Sequence, residues 1–413
     1  MKKCSRFIIV LLIICIFSIL ISCNKTQMVK EYIKTESYPH LAANFCKNGQ
    51  VLYFMSETNQ NGFRQIYYID KETGTSGPLC GKPECRHDSL HCNSAVGDNG
   101  AGMGLSLYQN HLYFLADKVG ISGGYGGKYL YSVDLDGSNR REIRKIFGPD
   151  DIKTLSANIL CLCVDDFFVM CGQYDRIENG AVSFVSSAMA FSLHDETAFT
   201  ILENDSPISS ITMRSSQDQL FISVSEQEVR SEDEAWTAPS RVHLYRYEFT
   251  EKKLSELCDR FVDFFPWEIQ PVGEKIYIST MSDQNGPNTV YSYDIKEAEF
   301  IREFEMCVDS LDCPGGIENG WICLYNYMGR SPYEVRVTVR DFQGNLLRDD
   351  KIATKMISPG GTGMGRAFLG CDEDYVYYLF RDYSGSFMRE YVTGYSMADG
   401  KEKVLWDSEN ALH

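Results

Sequence analysis

The stretch Asn110-His111-Leu112-Tyr113-Phe114-Leu115-Ala116-Asp117 runs into a glycine-rich segment. It resumes as Lys128-Tyr129-Leu130-Tyr131-Ser132-Val133-Asp134-Leu135-Asp136-Gly137-Ser138-Asn139-Arg140-Arg141. Aromatic and aliphatic side chains alternate in both halves, with the period of two that a pleated strand imposes. An Asp-Gly turn closes the second half, and a further strand follows. The unit is one meander of antiparallel sheet.

Working outward, the same unit recurs. Its aromatic-rich second strand reads Val51-Leu52-Tyr53-Phe54, His111-Leu112-Tyr113-Phe114, Asp166-Phe167-Phe168-Val169, Gln219-Leu220-Phe221-Ile222, Lys275-Ile276-Tyr277-Ile278, Gly320-Trp321-Ile322-Cys323 and Tyr375-Val376-Tyr377-Tyr378. These copies lie about 45 to 60 residues apart, the spacing of propeller blades. Residues that tolerate positive φ precede most of them, among them Asn48-Gly49, Gln109-Asn110 and Asp165-Asp166. A third strand follows each, as in Gln65-Ile66-Tyr67-Tyr68-Ile69-Asp70 and Val290-Tyr291-Ser292-Tyr293-Asp294, and acidic turn residues come next. No helical period stands out beyond the N-terminus. The expectation is an all-β chain: a β-propeller of seven blades, each a four-stranded antiparallel sheet, over residues 41–413. A solenoid and a pair of sandwiches are the other all-β arrays of such a repeat.

The run Tyr131 to Arg141 resembles the blade repeat of YWTD-type propellers of low-density-lipoprotein-receptor ectodomains. It is also similar to repeats of Tol-system periplasmic propellers and of uncharacterised Firmicute lipoproteins. The match covers one or two blades, and the Tyr-Trp-Thr-Asp tetrad itself is absent. The resemblance implies a propeller that binds protein or glycan.

Composition agrees with strands: the chain of 413 residues carries 25 Tyr and 23 Phe, and 44% of it is hydrophobic. A net charge of -17 repels phosphate backbones and so disfavours nucleic acid as a partner.

The N-terminus has its own logic. Met1-Lys2-Lys3-Cys4-Ser5-Arg6 is basic, Phe7 to Ile21 is almost wholly apolar, and Leu20-Ile21-Ser22-Cys23 precedes a polar stretch. This is the layout of an export signal. The apolar run is shorter than the roughly 20 residues that span a bilayer. The Cys after a small residue resembles the bacterial lipoprotein lipobox. That resemblance implies cleavage before Cys23, diacylation of its thiol, and a chain lipid-anchored at the extracytoplasmic face of the cell membrane. Residues 1–22 are then a signal peptide and 23–40 a lipidated tether. Two acyl chains suffice for stable anchoring.

The second cysteine feature is Cys80-Gly-Lys-Pro-Glu-Cys85-Arg-His87-Asp-Ser-Leu-His91-Cys92, expected on a loop between the first and second blades. Three thiols and one imidazole can supply a closed tetrahedral site for a soft metal, by default one structural zinc ion. The ligand set is Cys80, Cys85, His87 and Cys92, with His91 as a substitute for His87. A disulfide within Cys80, Cys85 and Cys92 is the competing reading, since exported chains meet an oxidising space. The C-x4-C-x-H-x4-C spacing also resembles a block in the Firmicute lipoproteins. Cys161, Cys163, Cys171, Cys323 and Cys371 read as core, where thiols pack as small hydrophobes. Cys307 and Cys313 flank a turn that a bridge could close.

Other motifs carry less. Gly120-Ile121-Ser122-Gly123-Gly124 has the G-x-S-x-G pattern but sits in a hairpin loop, not a strand-to-helix turn. Gly360 to Gly365 lacks the Gly-Lys-Ser/Thr of a phosphate loop. The acidic run Glu226 to Glu234 reads as a solvated loop. Trp236, Phe264, Phe265, Trp267 and Tyr327 are candidates to stack on sugars or peptides. No catalytic residues are assigned. The leading expectation is a binding or scaffolding module for protein or glycan. The alternatives are a lyase or glycosidase with carboxylates at the propeller channel, and a structural part of an envelope complex.

Overall fold

A computed structural model describes residues 45–409 except 57–62, 98–103, 120–124, 149, 156–158, 179, 206–208, 217, 228–239, 282–287, 308–314, 318–319, 327–333, 354–363, 373 and 383–388. Residues 1–22, Cys23 and the tether, the 120–124 motif, Gly360 to Gly363, Trp236, Cys313 and Tyr327 lie outside this set.

Seven antiparallel sheets follow one another along the chain, spanning residues 45–97, 105–147, 152–204, 209–262, 265–307, 315–353 and 364–407. Within five of the sheets the strands pair in simple sequence order, and no helix occurs among the described residues. This is the seven-bladed β-propeller that the repeat predicts. The innermost strands touch their neighbours round a ring, and Phe45–Asn48 of the first blade reaches Met364–Cys371 of the last.

Among the described residues, seven apolar cores lie between successive blades. One holds Tyr53, Ile66, Leu105 and Phe114 between blades one and two. Another holds Phe54, Tyr67, Tyr377, Leu379 and Trp406 between blades one and seven. The remaining five fill the other seams. Because both faces of a blade meet a neighbour, the central strands are buried on both sides, as in Gln219–Gln227. The outer strands face water: Lys253–Val262 has a single buried residue, Cys258.

Among the described residues no strand is exchanged between the first and last sheets, and side chains join the two. Phe45 packs on Gly370, at a spot where a Cβ would sit 2.6 Å from its ring. Lys71 pairs with Asp372, whose Oδ2 also accepts the Tyr377 hydroxyl at 2.5 Å.

The turns follow the chemistry of their residues. Gln109 and Asn110 take φ of 45° and 65°, and Asp165 and Asp166 take 48° and 63°, as two-residue hairpins demand. At the end of the third strand an Asp side chain accepts the following backbone N–H groups. Asp70, Asp294 and Asp341 all do so, which explains the acidic residue that recurs there.

Two blades depart from four simple strands. In the third, Ile152–Leu155 and Leu160–Val164 both pair with Phe167–Glu178, so the innermost position is an interrupted strand. In the first, Ser76–Pro78 pairs with Tyr67 to Ile69, and Ala95–Gly97 pairs with Arg64 and Gln65 of the same strand. The outermost strand is thus also interrupted, and the interruption is the cysteine loop. That loop belongs inside the first blade and does not bridge the first blade to the second as the sequence suggested. Ala95–Gly97 is too short for its period to show in sequence.

Candidate metal centre and binding groove

The loop 79–94 leaves the sheet after Pro78 and returns at Ala95. Two backbone bonds, Cys85 N–H to Lys82 O at 3.1 Å and Cys92 N–H to Ser89 O at 3.0 Å, curl it into successive turns. The curling brings Cys80, Cys85, His87 and Cys92 together, with their ligand atoms all within 4.8 Å of one another. His87 Nδ1 lies 3.3 Å from Cys92 Sγ. His91, the substitute from sequence, is exposed and stands outside the group; its carbonyl accepts Lys82 Nζ at 2.8 Å.

His87 adopts φ 58°, in the left-handed region, which a non-glycine residue enters at a cost of about 1–2 kcal/mol. The surroundings hold it there. Gln65 Nε2 donates to His87 O at 3.0 Å and to Ser94 Oγ at 3.2 Å, and Tyr67 donates its hydroxyl to Gln65 Oε1 at 3.1 Å. A buried strand residue therefore fixes the backbone that aims the imidazole at the sulfurs.

The thiols are free, and each has its own setting. Cys92 is fully buried against Phe63 and Ala95, and burial pushes its thiol up to about 12, against the pull of Ser94. Burial acts on Cys80 as well, but hydrogen bonds from the backbone of Lys82 and Asn93 and from the Cys92 and Cys85 thiols together outweigh it and hold that thiol below its ordinary value. Burial lowers the His87 imidazole, which keeps it neutral and free to donate a lone pair. Three sulfurs, a neutral imidazole and N–H donors aimed at a sulfur fit a closed Cys3His site.

The remaining cysteines behave as expected where they are described: Cys161 and Cys171 are buried, and Cys163 and Cys371 are partly so. The side chains of Cys307 and Cys323 lie outside the described set.

A second feature lies where the fourth blade passes to the fifth. Arg260, Phe261, Val262, Asp263, Phe264, Tyr291, Glu299, Phe300 and Arg302 line a groove of about 670 Å³. Phe264 stacks on Tyr291 with centroids 4.1 Å apart and planes 18° off parallel. Phe261 is 72% exposed, more than any other large apolar side chain among the described residues. Sequence reasoning named Phe264 but missed the rest. The available signal was a phenylalanine on the polar face of an outer strand, flanked by Arg260. Phe265 and Trp267 are half-buried on the innermost strand of the fifth blade.

A third grouping, His243 with Glu256 and Asp259, is mostly exposed. Arg241 already holds Asp259 with two bonds of 2.7 Å, so the carboxylate is engaged.

No protein-family model matches the chain, and no curated protein matches it in sequence. Solved structures match in shape. A prolyl endopeptidase aligns with a TM-score of 0.55 and 13% identity over 90% of this chain and 50% of its own. Two structures of an ulvan lyase of polysaccharide lyase family 25, one bound to -[GlcA(1-4)Rha3S]-, align with a TM-score of 0.55 and 10% identity. They cover 86% of this chain and 92% of the lyase. The shared property is the fold. The chain spans half the length of the endopeptidase, and fold alone does not carry a function.

Proposed function

We propose that this chain is a lipoprotein, anchored through Cys23 at the extracytoplasmic face of a bacterial membrane, whose propeller works as a recognition module. The observation that carries the binding role is the groove at the fourth-to-fifth blade passage. It combines the exposed ring of Phe261, the Phe264–Tyr291 stack, two guanidinium groups and two carboxylates. Rings that cover a sugar face, with donors and acceptors for its hydroxyls, are what glycan recognition needs.

A glycosidase or lyase reading gains from the two groove carboxylates, Asp263 and Glu299. Both are exposed, however, whereas catalysis on a sugar is served by a site that excludes water. The groove favours binding. The test is calorimetric titration with neutral and uronic-acid oligosaccharides. Binding that Phe261→Ala weakens by about tenfold or more supports the reading, since truncating a central ring costs roughly 2 kcal/mol. Product release from those oligosaccharides would replace it with the enzyme reading. The Cys23→Ser chain is expected in the soluble fraction and without lipid; lipid on that variant would remove the anchor.

We also propose that Cys80, Cys85, His87 and Cys92 hold one structural zinc ion. A disulfide needs two sulfurs and no imidazole, so it leaves the left-handed turn at His87 and its Gln65 brace without a purpose. Native mass spectrometry of the mature chain decides: one zinc mass lost to chelator supports the site, and a two-hydrogen deficit without metal replaces it with the disulfide.

A further inference from the structure

Resting on that zinc reading, we propose that the metal centre is a latch that locks the first blade to the second. Both ends of the cysteine loop grip a single acceptor, the Gly137 carbonyl, in the Asp-Gly turn of the second blade. Gly81 N–H donates to it at 2.9 Å, and Asn93 Nδ2 donates to it at 2.8 Å. Gly81 directly follows the ligand Cys80, and Asn93 directly follows the ligand Cys92. One oxygen can be gripped from both sides only while Cys80 and Cys92 stand at ligand distance from each other. A metal that holds both sulfurs enforces that spacing, so metal binding and blade contact are thermodynamically linked.

The second blade is shaped to receive the loop. Gly137 has φ 77°, and a Cβ there would lie 2.5 Å from the Cys80 backbone nitrogen. A Cβ on Gly81 would lie 3.0 Å from the Ser138 nitrogen, so two bare backbones meet. Three residues beyond the turn glycine, Arg140 Nη1 donates to Cys92 O at 2.9 Å, Asn93 O at 3.3 Å and Ala95 O at 2.6 Å. Its guanidinium lies over Tyr131 at 4.5 Å and Phe114 at 5.4 Å, both residues of the second blade. The cation therefore binds carbonyls of the loop's returning end while its own blade holds it from below. Tyr53 of the first blade completes the seam by donating to Leu135 O at 3.2 Å.

The loop interrupts an outermost strand, and the residues that flank it, Leu79 and Val96, are buried in the core shared with the second blade, so the latch acts beside that apolar seam. Residue types at the seam fit this role: two glycines for close approach, an Asn whose amide reaches the turn carbonyl, and an Arg whose Nη1 meets three carbonyls of the returning chain.

The test is hydrogen exchange followed by mass spectrometry on the mature, full-length propeller, with its zinc and after chelation. Peptides over 79–97 respond to metal loss by themselves, so the discriminating readout is the turn at 134–141. Chelation should speed exchange there by at least about tenfold, the worth of a lost hydrogen bond with a charged donor. A fifth-blade peptide over Lys275–Met281 should not change. The double variant Asn93→Ala, Arg140→Ala should keep one zinc ion while exchange at 134–141 loses its dependence on chelator. Three results overturn the latch: zinc bound but 134–141 indifferent to its removal; exchange rising equally in every blade, which makes the metal a global fold requirement; or no zinc bound at all, which removes the underlying reading as well. The zinc mass measured in parallel separates the last from the other two.

Discussion

Replacing Asp372 with Asn tests whether matched side chains close the propeller ring. Asp372 and Lys71 are 9% and 10% exposed, so the pair that joins the last blade to the first is almost dry. The carboxylate has four donors: Lys71 Nζ and the Tyr377 hydroxyl on Oδ2, and the N–H groups of Asp374 and Tyr375 on Oδ1 at 2.9 and 2.8 Å. An amide has one acceptor oxygen. Its NH2 must face either the ammonium or the turn N–H groups, and either choice leaves buried donors unmatched. Removing one partner of such a pair costs roughly 3–5 kcal/mol. For about 370 residues at roughly 2.1 cal/mol/K each, the unfolding entropy is ~0.8 kcal/mol/K, so the expected fall in Tm is ~4–6 °C. Differential scanning calorimetry measures it. Adding Lys71→Met should recover most of the loss, because the amide can then turn its oxygen to the backbone and its NH2 to the Tyr377 oxygen. A single variant within 1 °C of the parent (about 1 kcal/mol on this scale), or a double variant as unstable as the single, would refute the reasoning.

The pair also sets a pH dependence. Burial works to raise Asp372, but bonds from Lys71, Tyr377 and the backbone outweigh it and hold its pKa below the usual range. Its contribution is thus full above the unfolded value of about 3.9 and is lost as pH falls through the lower folded value. In urea melts the gap between parent and Asp372→Asn should be constant from about pH 5 to 8 and close below about pH 4. Trp406→Ala, at a side chain set 5.0 Å from Phe54 and 4.8 Å from Tyr67, should cost roughly 3–5 kcal/mol by calorimetry. Gly137→Ala should lower Tm, since it forces both a strained φ and a clash with Cys80, by more than the ~1 kcal/mol of a compatible glycine site. Native maleimide labelling followed by peptide mapping should leave Cys161 and Cys171 unmodified, because burial pushes both thiols up. Chelation should expose Cys80 and Cys85 to the reagent. Phe261→Ala should leave Tm within about 1 °C, because a surface change costs under ~0.5 kcal/mol.

How much of this was legible follows from where each residue sits. The second strand of every blade is pressed between two neighbours, so both of its faces must be apolar. A run such as Leu220-Phe221-Ile222 therefore announces itself, and seven such runs at blade spacing give the architecture. The outer strands meet water on one side and vary freely. The fourth strand of the first blade could not be seen as broken for that reason, and in the third blade the two pieces of the innermost strand, Ile152–Leu155 and Leu160–Val164, are each too short for a period to show. The cysteine centre was half legible. Spacing assembles the donors, but the choice between His87 and His91 rests on one left-handed backbone angle, which Gln65 fixes from more than twenty residues upstream. No local pattern encodes that choice. The groove was least legible, because Phe261 and Arg302 come from different blades and meet only when two outer edges align. The seat of the cysteine loop shows the same rule from the other side. Asp136-Gly137 has the pattern of a repeat's turn, and in its own blade it forms one. Its carbonyl also faces the loop of the preceding blade, so the same glycine answers to a local constraint on φ and to a distant one on contact. A repeat hides the second constraint behind the first. Functional positions in a propeller of this kind are therefore best sought where a repeat residue makes a bond that its counterparts in the other blades do not.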